Sequence, residues 1–374
     1  MNRKKLTIAQ PSFRGNEKKY VLDALDSGWV SSIGPYIDHF EKEFAGYHGV
    51  KHAIATHNGT IALHLALSAA GIHEEDEVIV PDLTFIATAN SVRYCHAIPV
   101  LTDVDPEDWN IDCNSILANL TNKTRGIVPV HLYGNPADME TIMKIAMEHK
   151  LVVVEDCAEA TGASIGNKKV GTFGDIGIFS FFGNKIITTG EGGMCITDND
   201  ELADRMRILR DHGMNRKKKY WYDHLGFNYR MTNLQAALGF AQMEQLGELL
   251  SIRRNIYETY KKNLGTHPGI LFQSTHGNNP VNWMLTVRIK GFSEEQRDAV
   301  MAELKEEQID SRPVFYPIHY MPFYQSSEFA RQRFTNSKMI SREGISLPTF
   351  VEMTKEDIIH ISKTFLNAVD KISK

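Results

Sequence analysis

Apolar positions alternate between two textures along most of the chain: helical spacing, then a short unbroken run, then helical spacing again. The spacing predicts helices over 16–26 and 35–47, the second with Ile37, Phe40 and Phe44 on one face. From there the alternation is regular. It predicts a strand over 53–56, a helix over 60–70, a strand over 77–80 stopped by Pro81, a helix over 87–95 and a strand over 99–103. Gly71 suits the left-handed cap that ends a helix. A run over 126–132, a helix over 139–149 and a strand over 151–155 continue the series. Short apolar runs separated by helices imply a mainly parallel sheet covered on both faces. Such sheets bind ligands beyond the C-terminal ends of their strands.

After Ser180 the texture changes. Segments 177–181 and 193–197 read as successive strands around a Gly-rich loop, followed by a helix over 202–211. A long helical stretch over 233–264 leads out of this region. The remainder predicts a strand over 283–289, a helix over 294–307, and further helices over 328–342 and 355–372. A chain of 374 residues exceeds the size at which one core stops growing. We therefore expect two domains, a large one over 1–245 that includes the N-terminal segment and a small α+β one over 246–374.

Composition narrows function by exclusion. Hydrophobic content of 42% and charged content of 23% belong to a folded globular chain, which argues against disorder. A net charge of −5 and a pI near 6.3 leave no basic footprint, so nucleic acid and anionic membrane are not expected partners. Any phosphate must then be bound by local geometry. Cys95, Cys113, Cys157 and Cys195 are scattered without zinc-ligand spacing, so no metal is expected and a reducing cytoplasm fits. The first residues are basic but lack an apolar core segment, and no run of about 18 apolar residues occurs. The expectation is a protein neither exported nor membrane-spanning.

The most informative chemistry is a pair. Lys185 lies in Ser180-Phe-Phe-Gly-Asn-Lys185, before the small-residue stretch Thr188-Thr-Gly-Glu-Gly-Gly193, and Asp156 ends the apolar run that starts at Leu151. A lysine amine can form a Schiff base with an aldehyde, and a carboxylate at a strand end can keep a pyridine nitrogen protonated. Pyridoxal phosphate (PLP) needs both. Thr56-His-Asn-Gly-Thr60 joins a strand to a helix and offers a phosphate the free N–H groups of a helix start. There Gly59 permits close approach, while the hydroxyls of Thr60 and Ser180 can donate. Alone, Asn-Gly-Thr is an ordinary turn and cap. Phe85, just past a strand, could stack on a pyridine ring or simply join the core.

The runs Asn58-Gly-Thr-Ile-Ala-Leu-His-Leu-Ala-Leu67, Asp76-Glu-Val-Ile-Val-Pro81, Glu155-Asp-Cys-Ala-Glu-Ala160, Ser180–Lys185, Gly190-Glu-Gly-Gly193 and Gly226-Phe-Asn-Tyr-Arg-Met231 together resemble the DegT/DnrJ/EryC1/StrS family over nearly the whole chain. Its members are PLP-dependent nucleotide-sugar aminotransferases. The resemblance implies an α/β fold of the aspartate-aminotransferase type (PLP fold type I), with a mainly parallel sheet of the seven-stranded type in the large domain. Lys185 would bind the cofactor aldehyde and carry the proton, Asp156 would pair with the ring nitrogen, Phe85 would stack on the ring, and Gly59, Thr60 and Ser180 would hold the phosphate. Glu159 resembles a position on the ring's hydroxyl side. Asn228 resembles a residue that reaches the phosphate of a neighbouring subunit's cofactor, implying an obligate homodimer with shared sites, or a tetramer.

Gly28-Trp-Val-Ser-Ser32 and Ser311-Arg-Pro-Val-Phe-Tyr-Pro-Ile-His319 resemble those members that transfer the amine of L-glutamate to C4 of a GDP-linked 4-keto-6-deoxyhexose, for surface polysaccharide such as the O-antigen of lipopolysaccharide. UDP- and dTDP-linked sugars are the alternative. Ser31, Arg230 and His319 are candidate substrate contacts, although an isolated Arg commonly makes an ion pair and a His among Pro and Tyr commonly only packs.

Three other readings fare worse. Sugar dehydratases of the same family carry His where Lys185 stands. A non-catalytic regulatory homologue has no use for the intact set Asp156, Ser180 and Lys185. A dinucleotide enzyme would need G-x-G-x-x-G opening a helix, whereas Gly171-Thr-Phe-Gly-Asp-Ile-Gly177 is spaced differently and precedes a strand.

Overall fold

Alternate residues of the central strands face opposite helical layers, which is why those strands read as unbroken apolar runs. In the computed structural model, which describes residues 5–326 and 328–374, two helices come first: α1 (Glu17–Asp26) and α2 (Pro35–His48). The sheet region follows as β1 (His52–Thr56), α3 (Gly59–Ala69), β2 (Glu77–Pro81), α4 (Ala87–Tyr94), β3 (Ile98–Thr102), α5 (Cys113–Ala118), β4 (Thr124–Ile127), α6 (Met139–His149) and β5 (Val152–Asp156). A two-residue hairpin, β6 (Ser164–Ile165) and β7 (Lys168–Lys169), precedes β8 (Ile176–Ser180), β9 (Gly193–Thr197) and α7 (Asp200–Arg210).

The large sheet has seven strands in the order β1-β9-β8-β5-β4-β2-β3. Only β9 runs against its neighbours. Val78, Val80 and Val154 pack on one face with α3 and α4, while Ile79 and Val153 pack on the other with α6. Gly71 adopts φ 87, and Ile72 N–H donates back to the Leu67 carbonyl, closing α3 with a left-handed cap.

From α8 (Asn233–Leu264), 32 residues long, the chain enters β10 (Ile270–Phe272), β11 (Leu285–Ile289), α9 (Glu294–Glu306), β12 (Arg312–Pro313), α10 (Asn336–Glu343), β13 (Gly344–Leu347) and α11 (Lys355–Ile372). Four of these are strands of a second, antiparallel sheet, β10-β11-β13-β12. Its core draws on α8, α9 and α11, and also on Leu6 from the other end of the chain. Leu6 N–H donates to the Gln308 carbonyl, and Asp310 N–H donates to the Leu6 carbonyl.

Most predicted boundaries shift by one or two residues, but three expectations need correction. The strand expected over 126–132 ends at Ile127, because Pro129 has no N–H for a ladder; the chain turns into a short 3₁₀ segment at Leu132–Gly134. The strand expected from Trp283 starts at Leu285. The helix expected over 328–342 is confined to α10. Its start is set from a distance, by the Asp103 carboxylate accepting from the N–H groups of Thr335, Asn336 and Ser337. Elements such as α5, β6, β7, β12 and β13 are too short to show a period in sequence. The basic residues 1–4 lie outside the described residues.

Candidate active site

Ser180 and Gly193 face each other at the open ends of β8 and β9, and the loop between them carries Lys185. The loop is tied down on itself. Phe181 N–H donates to the Gly192 carbonyl (2.8 Å), Thr189 N–H and the Thr188 hydroxyl both donate to the Phe181 carbonyl, and Lys185 N–H donates to the Phe182 carbonyl (2.9 Å). The Thr188–Thr189 pair thus fixes the arc that aims the lysine.

Asp156 stands at the C-terminal end of β5, where ligands of parallel sheets bind. Its carboxylate accepts from the Thr88 hydroxyl (2.9 Å) and from Ala158 N–H (3.1 Å). Burial pushes the Asp156 carboxyl up; the two hydrogen bonds and the Lys185 charge oppose that shift. Glu159 Oε1 lies 3.8 Å from Lys185 Nζ, and Glu159 Oε2 accepts from Tyr133 N–H at 2.7 Å. Burial raises Glu159 to about 7, with Lys185 pulling the other way. Burial likewise lowers the Lys185 amine, against the attraction of Glu159 and Asp156. Burial thus moves the lysine and the carboxyl toward each other, which narrows the gap a proton must cross between them.

The helix α3 opens on the same space. Asn58 caps it, its side chain accepting from Ile61 N–H at 3.0 Å. A Cβ at Gly59 would stand 2.8 Å from the Ser180 Cβ, so only glycine lets the helix start lie against the end of β8. That contact places the Ser180 hydroxyl next to the first turn, where N–H groups have no intrahelical acceptor.

These elements enclose a cavity of about 410 Å³. Gly59, Thr60, Phe85, Asp156, Glu159, Ser180 and Lys185 all line it. Phe85 is 56% exposed, its ring turned toward Phe315 at 6.0 Å. An anion-accepting helix start, an acid at a strand end and a half-buried lysine fit a phosphorylated pyridine aldehyde. The sequence did not single out Thr88 or Trp283, and it held Arg312 and Phe315 only as members of the Ser311–His319 run, with no role of their own. Trp283, Arg312 and Phe315 line the cavity from the C-terminal half, and nothing in the local pattern around Trp283 distinguishes it from a core residue.

Four expected residues lie elsewhere. His319 gives its Nδ1 to Asp82 (2.7 Å) and stacks on Phe334, away from the Lys185 cavity. Arg230 pairs with Asp211 (2.6 Å) and donates to the Asn228 side chain (3.1 Å). The Asn228–Arg230 segment runs beside the end of β1, where Tyr229 accepts from His57 N–H. Arg230 lines a second, larger cavity of about 610 Å³ with Arg207, Arg210 and Arg216. Ser31 offers its carbonyl to Asn233 N–H at the start of α8.

The sequence pattern of the DegT/DnrJ/EryC1/StrS aminotransferase family matches residues 11–366. The chain is 48% identical to GDP-perosamine synthase of Caulobacter vibrioides over 360 residues, 95% of each chain. It is 44% identical to GDP-perosamine synthase of Escherichia coli O157:H7, over 96% of this chain and 98% of that one. Among solved structures, DesI in the presence of its TDP-sugar product superposes with a TM-score of 0.91 at 30% identity, covering 99% of this chain and 95% of that one.

Proposed function

The chain belongs to the DegT/DnrJ/EryC1/StrS aminotransferase family and uses pyridoxal phosphate, and from that premise we propose that it is a GDP-perosamine synthase. It would move the amino group of L-glutamate to C4 of GDP-4-keto-6-deoxy-D-mannose. The observation that carries the reading is the gathering of Lys185, Asp156, Glu159 and the α3 start in one cavity, joined to the identity over nearly the full length with two enzymes of that name.

The cofactor, when bound, supplies an electron-accepting ring beside the carbon that loses its proton. The remaining work falls to the chain. The α3 N–H groups at Gly59 and Thr60, with the Ser180 hydroxyl, would hold the phosphate. Asp156, kept in place by Thr88, would hold the ring nitrogen protonated, and Phe85 would lie beside the ring. The Lys185 amine, lowered by burial, takes a proton from the donor carbon and returns one in the acceptor half of the cycle. Glutamate leaves as 2-oxoglutarate before the keto sugar enters, so the two halves use the same groups in turn.

Asn228 does not line the Lys185 cavity, and we assign it to the cofactor phosphate of a second copy. Large apolar side chains left exposed at Trp29, Ile33, Trp221 and Leu225 favour such a homodimer, with a tetramer as its further assembly. Ser31, Arg230 and His319 are assigned to the substrate side more weakly, His319 through Asp82. We place the domain boundary at residue 245, inside α8. Among the described residues no helix is long and apolar enough to cross a membrane, and we propose a cytoplasmic enzyme that feeds O-antigen or another surface polysaccharide.

The test is a panel of GDP-, UDP- and dTDP-linked 4-keto-6-deoxyhexoses with L-glutamate, scored by mass spectrometry for the aminated sugar. Preference for the GDP sugar supports the proposal. Preference for a UDP or dTDP sugar would replace it with the alternative.

A further inference from the structure

Lys185 must be free of the cofactor for part of every cycle, yet remain in reach. A lysine on a four-carbon stem loses considerable rotamer freedom when held, so a defined resting place must be built by its neighbours. The structure contains one. The Nζ of Lys185 lies 3.9 Å from the centroid of the Trp283 ring, well inside the range of a cation–π contact. The same indole donates its Nε1–H to the carbonyl of Asn184, the residue before the lysine, at 2.7 Å. Trp283 therefore grips both ends of Lys185, the peptide by its edge and the amine by its face.

The ring itself cannot tilt freely. It is stacked on Tyr133 (6.1 Å, 14° between planes), which in turn stacks on Phe315 (5.4 Å, 10°). Tyr133 also fixes the other contact of the amine, because its N–H holds Glu159. It does so from a left-handed backbone, φ 55, a conformation uncommon outside glycine. One residue thus sets the relative position of the carboxylate and the aromatic face between which the amine sits.

We propose that Trp283 is a positioning residue that parks the released Lys185 amine between its ring face and Glu159 during amine transfer. The proposal rests on the PLP reading above, since only a lysine that leaves and returns needs a parking site. It assigns a role in the reaction to the segment ahead of β11, which belongs to the C-terminal half of the chain. It also predicts that the face of the ring and its N–H edge act separately.

The experiment compares wild type with Trp283→Leu, which loses both contacts, and Trp283→Phe, which keeps an aromatic face but not the N–H. Apoenzyme is mixed with PLP and Schiff-base formation followed by absorbance. The glutamate half-reaction and the keto-sugar half-reaction are then measured separately on holoenzyme. For Trp283→Leu we expect capture of PLP and both half-reaction rates to fall by about tenfold, with the KM for glutamate within about twofold. Trp283→Phe should recover most of that loss. A purely structural tryptophan would instead lower melting temperature and cofactor content without separating kcat from KM, and Phe would not restore the rates.

Should the Leu variant fail to fold, ring-fluorinated tryptophans incorporated in place of all four tryptophans weaken the face without changing its shape. PLP capture should then slow stepwise with fluorine number. Rates within about twofold of wild type in Trp283→Leu, or capture indifferent to fluorination, would overturn the parking role. Wild-type protein that takes up no PLP and transfers no amine would overturn the PLP reading instead.

Discussion

The Thr88 hydroxyl donates to Asp156 Oδ2 at 2.9 Å, joining the second residue of α4 to the end of β5. A hydrogen bond to a charged group is worth about 1.5–3 kcal/mol, and this one opposes the rise that burial imposes on the Asp156 carboxyl. Thr88→Val, close in shape, should weaken PLP binding and slow amine transfer by about tenfold. Asp156→Asn should cost more than about a hundredfold, because the ring nitrogen then loses its anionic partner in both half-reactions. Steady-state rates and PLP titration of the two variants decide it; equal losses would show that Asp156 acts only through its hydrogen bonds.

Lys185→Ala should leave the melting temperature near that of wild type and retain some cofactor, since the α3 start and Asp156 are separate from the lysine. Its turnover should drop by at least about a hundredfold, the lower range for loss of an acid–base group. Mass spectrometry of the aminated sugar provides the measurement. Near-normal transfer would remove Lys185 from the mechanism.

Glu159 gives a pH dependence with a definite sign. Its carboxyl is raised from 4.5 to about 7 in the folded protein, so between those values the native state binds more protons than the unfolded state. This group therefore favours folding fully below about 4.5, and its contribution falls as pH rises through about 7. Urea melts of the apoenzyme across that window should show a steeper loss of stability with rising pH in wild type than in Glu159→Gln. Parallel curves would mean that Glu159 does not titrate there.

The shared sites we propose predict complementation. Lys185→Ala and Asn228→Ala subunits, each inactive or impaired, are mixed under conditions where tagged pull-down shows heterodimers. One site of each heterodimer then keeps both its lysine and a partner's intact Asn228, so the isolated heterodimer should recover about half of wild-type activity, and an evenly mixed sample about a quarter. No recovery in verified heterodimers would make Asn228 a residue of its own subunit.

What could be read from the sequence is what sits at a change of texture. Asp156, Gly59 and Ser180 lie where an apolar run ends or a helix begins, so the sheet pattern alone put them at the ligand-binding edge, and Lys185 follows five residues after one of them. Thr88 and Trp283 lie within elements or loops and act across 68 and 99 residues of sequence separation, a distance over which no local period carries information. The same blindness explains α10. Its expected start at 328 followed the apolar pattern, while the actual start depends on Asp103, 232 residues away from Thr335.

The strap that pairs Leu6 with the segment around Ile309 has a consequence for biosynthesis. Ile8 N–H bonds to the carboxylate of Asp310 across 302 residues, so Leu6 and Ile8 are synthesised well before the segment they pair with. At roughly 5–20 residues per second, that interval is on the order of a quarter of a minute to a minute. During it Leu6 and Ile8 have no partner strand to join. Substitutions that loosen Leu6 or Ile8 would therefore burden the closing of the C-terminal sheet, the last part of the fold to find its partner.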